Sequence, residues 1–154
     1  MASTGLTGRQ WFIGTMGAMG VLLDGYDLSV ISFSALLISS VYRVPTSGLE
    51  YALLLSSALM GMVVGGVLFG RMADLLGRRT MFVVDLLMFV VFAALSALAA
   101  NVWEVIVFRA LMGVGIGADY PISSSLIAEL SPGRRRGMLL MYGMMFYWLG
   151  AFVS

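Results

Sequence analysis

The stretch that decides the fold is residues 51–70, YALLLSSALMGMVVGGVLFG, which has no charged side chain between Glu50 and Arg71. About 20 such residues, wound as an α-helix, cross the hydrocarbon core of a bilayer. The rest of the chain is similar, since 60% of its 154 residues are hydrophobic and 11% are charged. An average soluble domain has roughly 25% charged residues. The sequence therefore predicts an all-α membrane protein.

Five apolar segments follow one another, separated by short polar connections. Four are long enough for a complete crossing, whereas the fifth is still apolar at Ser154 and covers only about 25 Å. We therefore expect residues 1–154 to form a transmembrane helix bundle whose last helix is incomplete. The predicted helices cover, to within a few residues, 11–40, 50–69, 81–100, 104–128 and 138–154.

The arginines of the polar connections alternate between the two sides of the predicted bundle. One side carries seven of them and the other carries only Arg43. Because basic residues are retained in the cytoplasm, this asymmetry predicts a multi-pass protein of the cell membrane with a cytoplasmic N-terminus. Arginine clusters also occur in nucleic-acid or lipid-binding patches, but clusters on one side favour a role in topology, and no nucleic-acid partner is expected. The seven are Arg9, Arg71, Arg78, Arg79 and Arg134–Arg136.

The chain contains no cysteine and no histidine. This composition excludes disulfides, thiolate nucleophiles, Cys/His zinc sites and imidazole acid–base chemistry. No pair of a nucleophile and a base is evident either. We expect no enzyme activity, no cofactor and no metal site.

Three carboxyls fall inside the predicted helices at mid-depth. Asp24 and Asp27 lie about 18 Å and 22 Å from the cytoplasmic boundary, and Asp119 about 14 Å from the same face. Charged groups at this depth are costly and are usually functional. Desolvation favours the neutral form of a carboxyl, so each could take and release protons as a carrier requires. The alternative is that these acids only pack, and for Asp85, about one turn inside the third helix, we favour that alternative.

The surroundings of these acids indicate a polar cavity. Pro121 leaves the carbonyl of Gly117 without its helical partner, close to Asp119 and Tyr120. Tyr26 lies between the two acids of the first helix. Two helices that each place an acid beside a tyrosine predict a substrate and proton pathway between them, formed by Asp24, Tyr26, Asp27, Asp119 and Tyr120. Arg109 is the only basic residue within the helices that could neutralise them.

Glycines recur at four-residue spacing inside the helices. The pairs are Gly61 with Gly65, Gly66 with Gly70, and Gly113 with Gly117. Such pairs let helix backbones approach closely in lipid. They favour packing within one bundle, although a dimerisation face would use the same motif.

Two loop segments and one helix segment carry a family resemblance. Residues 70–79, GRMADLLGRR, resemble the G-x-x-x-D-R-x-G-R-R signature of the major facilitator superfamily, with Leu75 replacing a basic residue. Arg109 with Gly113 and Gly115 is similar to the fourth-helix motif R-x-x-x-G-x-G. Residues 128–137, AELSPGRRRG, resemble the loop before the fifth helix of sugar porters. Residues 117–123, GADYPIS, resemble the G-G-D-Y-P-L-S segment of phosphate–proton symporters and of some metabolite–proton symporters.

The resemblance implies that the chain supplies about five of twelve helices of a carrier that works by alternating access. On this basis we expect proton-coupled symport of a sugar, an organic acid or a phosphate-like anion. The expected partners are that substrate, protons, the lipid bilayer and the missing C-terminal half. An uncoupled carrier or drug exporter, or a truncated product acting only as a membrane interaction partner, is the alternative. The resemblance implies a gating network that comprises Gly70, Asp74, Gly77, Arg78, Arg79, Arg109, Glu129 and Arg136.

Overall fold

The structure, a computed structural model, describes residues 8–130 and 136–154, and their side chains except those of 9–13, 120–130, 136 and 139. The described chain is entirely helical outside its short connections, which confirms the predicted fold class. The five helices are α1 (Gly8–Tyr42), α2 (Leu49–Leu76), α3 (Arg78–Ala97), α4 (Val102–Leu130) and α5 (Arg136–Val153).

Within the described residues, three segments are long and apolar enough to cross a membrane: Gly14–Tyr42, Leu49–Leu76 and Arg78–Ala97. The described part of α4 differs because it carries Glu104, Arg109 and Asp119. The apolar part of α5, Leu140–Val153, is shorter than a full crossing. Helix α4 has the most charged residues, and it also contacts each of the other four helices.

The connection between α2 and α3 is a single residue. The structure continues α2 to Leu76 and begins α3 at Arg78, whereas hydropathy predicts a gap from 69 to 81. Hydropathy marks where a helix leaves the hydrocarbon, and the helix itself continues through polar residues into the aqueous boundary. Gly77 turns the chain with φ of 89°, and its N–H donates to the Ala73 carbonyl at 3.1 Å. This left-handed conformation explains the need for glycine here.

Replacing Gly77 with alanine is expected to lower the free energy of unfolding by about 1–2 kcal/mol, because a Cβ disfavours positive φ. Gly70→Ala is the matched control, since Gly70 is helical and a Cβ there would meet no atom within 4 Å. That control should be neutral or stabilising by up to about 1 kcal/mol. Unfolding in detergent micelles measures both, and equal effects of the two substitutions would contradict the account of this turn.

Helices α2 and α4 pack backbone to backbone. A Cβ on Gly61 would collide with the carbonyl of Ala110, and one on Gly65 with that of Val114. On the opposite helix, Gly113 and Gly117 are closed in the same way by the carbonyls of Ala58 and Met62. The residue numbers of the contacting positions increase together along both helices, so α2 and α4 run parallel. The glycine pairs thus serve packing within one bundle, except that Gly66 makes only an ordinary contact and Gly70 none.

Helix α4 also packs against α1 and α3, while α5 packs against α1. A Cβ on Gly25 would collide with the Tyr147 carbonyl, and one on Gly150 with that of Leu22, so α1 and α5 also cross closely. Two apolar clusters lie towards opposite ends of α2 and α4. One includes Leu54 and Val102, and the other includes Phe69 and Ala118. Along α4, the buried Arg109 lies between these clusters, and the buried Asp119 directly follows Ala118 of the second cluster.

Candidate functional site: buried charges between α1 and α4

An ion pair joins α1 to α4 inside the bundle. Arg109 donates from Nη2 to Oδ2 of Asp27 at 3.2 Å and from Nη1 to Oδ1 at 3.5 Å. The two side chains are only 8% and 10% exposed. A guanidinium that meets both oxygens of a carboxylate forms a strong, oriented contact. Removing either partner would leave the other as a desolvated charge, which would destabilise the fold.

Asp24 lies one turn before Asp27 on α1, and Asp119 of α4 reaches α1 a further turn away, at Gly20. Asp24 is 4% exposed, and its Oδ2 atom has no hydrogen-bond donor among the described residues. Asp119 is 1% exposed and lies against α1, since its Oδ2 atom is 3.0 Å from the position of a Cβ on Gly20. Gly20 lies one turn before Asp24, so the Asp119 carboxyl approaches the same part of α1 as Asp24. The two carboxyls therefore belong to one polar cluster.

The sequence-predicted pathway residues fall into two groups. Asp24, Asp27 and Asp119 are all buried, while the Tyr26 side chain is 41% exposed on α1. The side chain of Tyr120 lies outside the described residues. The sequence identified Arg109 as the one cation able to neutralise these acids, and the structure pairs it with Asp27 in particular.

The predicted gating residues of the loop lie at the α2–α3 turn. Asp74 and Arg78 approach to 3.7 Å, with side chains 73% and 28% exposed. Arg79 is exposed. Such a pair contributes little by itself in water. The side chains of Glu129 and Arg136 lie outside the described residues, and Arg109 has its ion-pair partner on α1 rather than in this loop.

Asp85, for which the sequence favours a packing role, is a buried residue of α3. It lies two turns inside α3 rather than one, and is 6% exposed. Its Oδ1 atom is 2.6 Å from the position that a Cβ of Gly115 would take. Glycine at 115 was a possible signal, because a small residue on one helix admits a polar side chain from the next. Its partner helix could not be read from the sequence.

Three of the described helices have the length and apolarity of membrane-spanning segments, and a buried charge cluster between two helices is the kind of site that membrane transporters use. The family described as "Sugar (and other) transporter" matches residues 13–154. The chain belongs to this family, within the major facilitator superfamily. Its relatives are transporters and not enzymes.

Similar proteins support the same assignment. A repressible high-affinity phosphate permease of Neurospora crassa is 38% identical over an alignment of length 137 that covers 81% of this chain and 24% of the permease. The inward-open xylose transporter XylE from E. coli superposes with a TM-score of 0.83 at 27% identity, over 94% of this chain and 38% of that one. A D-xylose–proton symporter superposes with a TM-score of 0.78 at 29% identity, over 91% and 37%. The chain thus spans well under half the length of these proteins.

Proposed function

We propose that the chain forms the N-terminal part of a proton-coupled symporter for a small polar metabolite, operating by alternating access. The observation that carries the proposal is the buried Asp27–Arg109 ion pair between α1 and α4, with two more buried acids at the same helices, Asp24 on α1 and Asp119 on α4. The D-xylose–proton symporter among the similar structures supports proton coupling, and the phosphate permease and xylose transporters support sugars and phosphate-like anions as substrate classes.

The ion pair supplies a physical reason for coupling. When Asp27 is ionised, its charge holds Arg109 and thereby joins α1 to α4. A proton on Asp27 cancels that attraction. The conformation in which the ion pair joins α1 to α4 then loses part of its stability relative to other conformations. A difference of a few kcal/mol between two conformations is enough to change their populations substantially. Protonation and substrate binding can therefore bias the same conformational equilibrium.

The partners of the chain follow from the same proposal. Helices matching the remainder of the relatives would complete the carrier, and the substrate site would lie between both parts. The arginine asymmetry supports a cytoplasmic N-terminus. It would place the α2–α3 turn in the cytoplasm, where the Asp74–Arg78 pair would help to close one conformation.

Asp119→Asn is expected to abolish substrate accumulation driven by an acidic exterior, because the amide cannot carry a proton. Uptake of labelled D-xylose and phosphate is measured against external pH, in vesicles that contain the carrier to which this chain belongs. Downhill exchange of the substrate should persist in the variant. Glu50→Gln is the matched control, since Glu50 lies in the first turn of α2, away from the buried acids.

If accumulation by Asp119→Asn depended on external pH as it does in the parent, Asp119 would have no part in proton coupling. Substrate uptake by the parent carrier that never depends on pH would instead favour an uncoupled carrier.

A further inference from the structure

Asp85 extends the buried carboxyls beyond the α1–α4 interface. This residue of α3 packs against α4, where its Oδ1 atom occupies the space that a side chain at position 115 would fill. Gly115 therefore makes room for Asp85 in the same way that Gly20 makes room for Asp119. In both places a glycine lets a carboxyl from the neighbouring helix lie against a helix backbone.

The two carboxyls are neighbours around α4. Gly115 and Asp119 are four residues apart, and so lie one turn apart on the same side of that helix. Asp119 in turn lies against Gly20, which is one turn before Asp24 on α1. Asp24, Asp119 and Asp85 thus form a series that leads from α1 across α4 to α3.

No salt bridge of Asp85 occurs among the described residues, and the buried arginine of this region, Arg109, is paired with Asp27. A charged carboxylate is unfavourable in such surroundings, whereas a neutral carboxyl carries a proton that it can donate. At the other end of the series, the buried Oδ2 atom of Asp24 has no donor among the described residues.

We propose that Asp85 is a further proton-carrying residue, which exchanges a proton with Asp119 beside Gly115 and extends the proton path from α1 to α3. In the exchange, the carboxylic acid O–H of Asp85 donates its proton to the carboxylate of Asp119. Asp85 becomes the carboxylate and Asp119 the acid, and no other bond changes. The proposal rests on the proposed proton coupling but assigns a residue that the pathway between α1 and α4 does not require.

Infrared spectroscopy of the chain in phosphatidylcholine vesicles tests whether Asp85 carries a proton, without any transport. The carbonyl band of protonated carboxyls at neutral pH should lose one component in Asp85→Asn and none in Glu50→Gln. Asp119→Asn should move the pH at which the Asp85 component disappears, because a neighbouring charge is lost. An unchanged band in Asp85→Asn would overturn the proposal. So would an Asp85 component that disappears at the same pH in Asp119→Asn as in the parent.

Transport by the carrier tests whether this proton is used. Asp85→Asn should lose most of the proton-driven accumulation and keep substrate exchange, and Asp85→Glu should restore accumulation. Accumulation in Asp85→Asn equal to that of the parent would also overturn the proposal. Absence of proton-driven accumulation in the parent would count against the proposed function, and it would be seen independently of the infrared result.

Discussion

Replacing Arg109 with methionine is expected to lower the free energy of unfolding by about 3–5 kcal/mol, because Asp27 is then left as a buried charge without its partner. The pair is about nine-tenths buried and its two contacts measure 3.2 and 3.5 Å, so little water is available to replace the guanidinium. Unfolding of the chain in detergent micelles at neutral pH measures the loss.

The double variant Arg109→Met with Asp27→Leu is the control for this prediction. A buried ion pair replaced by apolar side chains of similar volume is often close to neutral in stability. The double variant should therefore recover most of the stability lost in Arg109→Met while losing proton coupling. If the single and double variants were equally unstable, the loss would come from the packing of Arg109 and not from its charge.

Replacing Gly65 with alanine is expected to push α2 away from α4. The free energy of unfolding should fall by about 1–3 kcal/mol, the usual range for overpacking. A Cβ at this position meets the carbonyl, Cα and carbonyl carbon of Val114, which belong to the backbone and cannot turn aside as a side chain can. The free energy of unfolding is again measured in detergent micelles. A second measurement is the rate at which a disulfide forms between two cysteines introduced into this cysteine-free chain, one on α2 and one on α4.

Gly66→Ala provides the matched control one residue along the same helix. There a Cβ would lie 3.5 Å from the Gly117 carbonyl, an ordinary van der Waals distance. The substitution should be neutral, or stabilising by up to about 1 kcal/mol through the higher helix propensity of alanine. A loss of stability in Gly66→Ala as large as in Gly65→Ala would show that the close packing of α2 on α4 is not as described.

The sequence predicted the five helices because each apolar segment stands out from polar connections. It placed their ends less well, since α2 continues to Leu76 through Arg71 and Asp74. A hydropathy pattern detects the hydrocarbon, and a helix that emerges into water keeps its backbone hydrogen bonds among polar side chains. The one-residue turn at Gly77 becomes visible only when backbone angles are known.

For the site, residue types and depth indicated which acids to consider but not their partners. Depth along the helices singled out Asp24, Asp27 and Asp119, and the structure buries all three. It could not pair Arg109 with Asp27, because that contact depends on how α4 is rotated against α1. The same limit applied to Asp85, whose environment is set by Gly115 on another helix. Roles in transport stay predictions for all of these residues.

Proton movement that accompanies substrate tests the central claim most directly. Vesicles that contain the carrier to which this chain belongs are loaded with a pH-sensitive dye, and substrate is added outside without an imposed pH gradient. We predict that substrate entry acidifies the interior, and that Asp27→Asn abolishes this acidification while substrate exchange continues. Substrate entry without acidification in the parent, or equal acidification in Asp27→Asn, would contradict it.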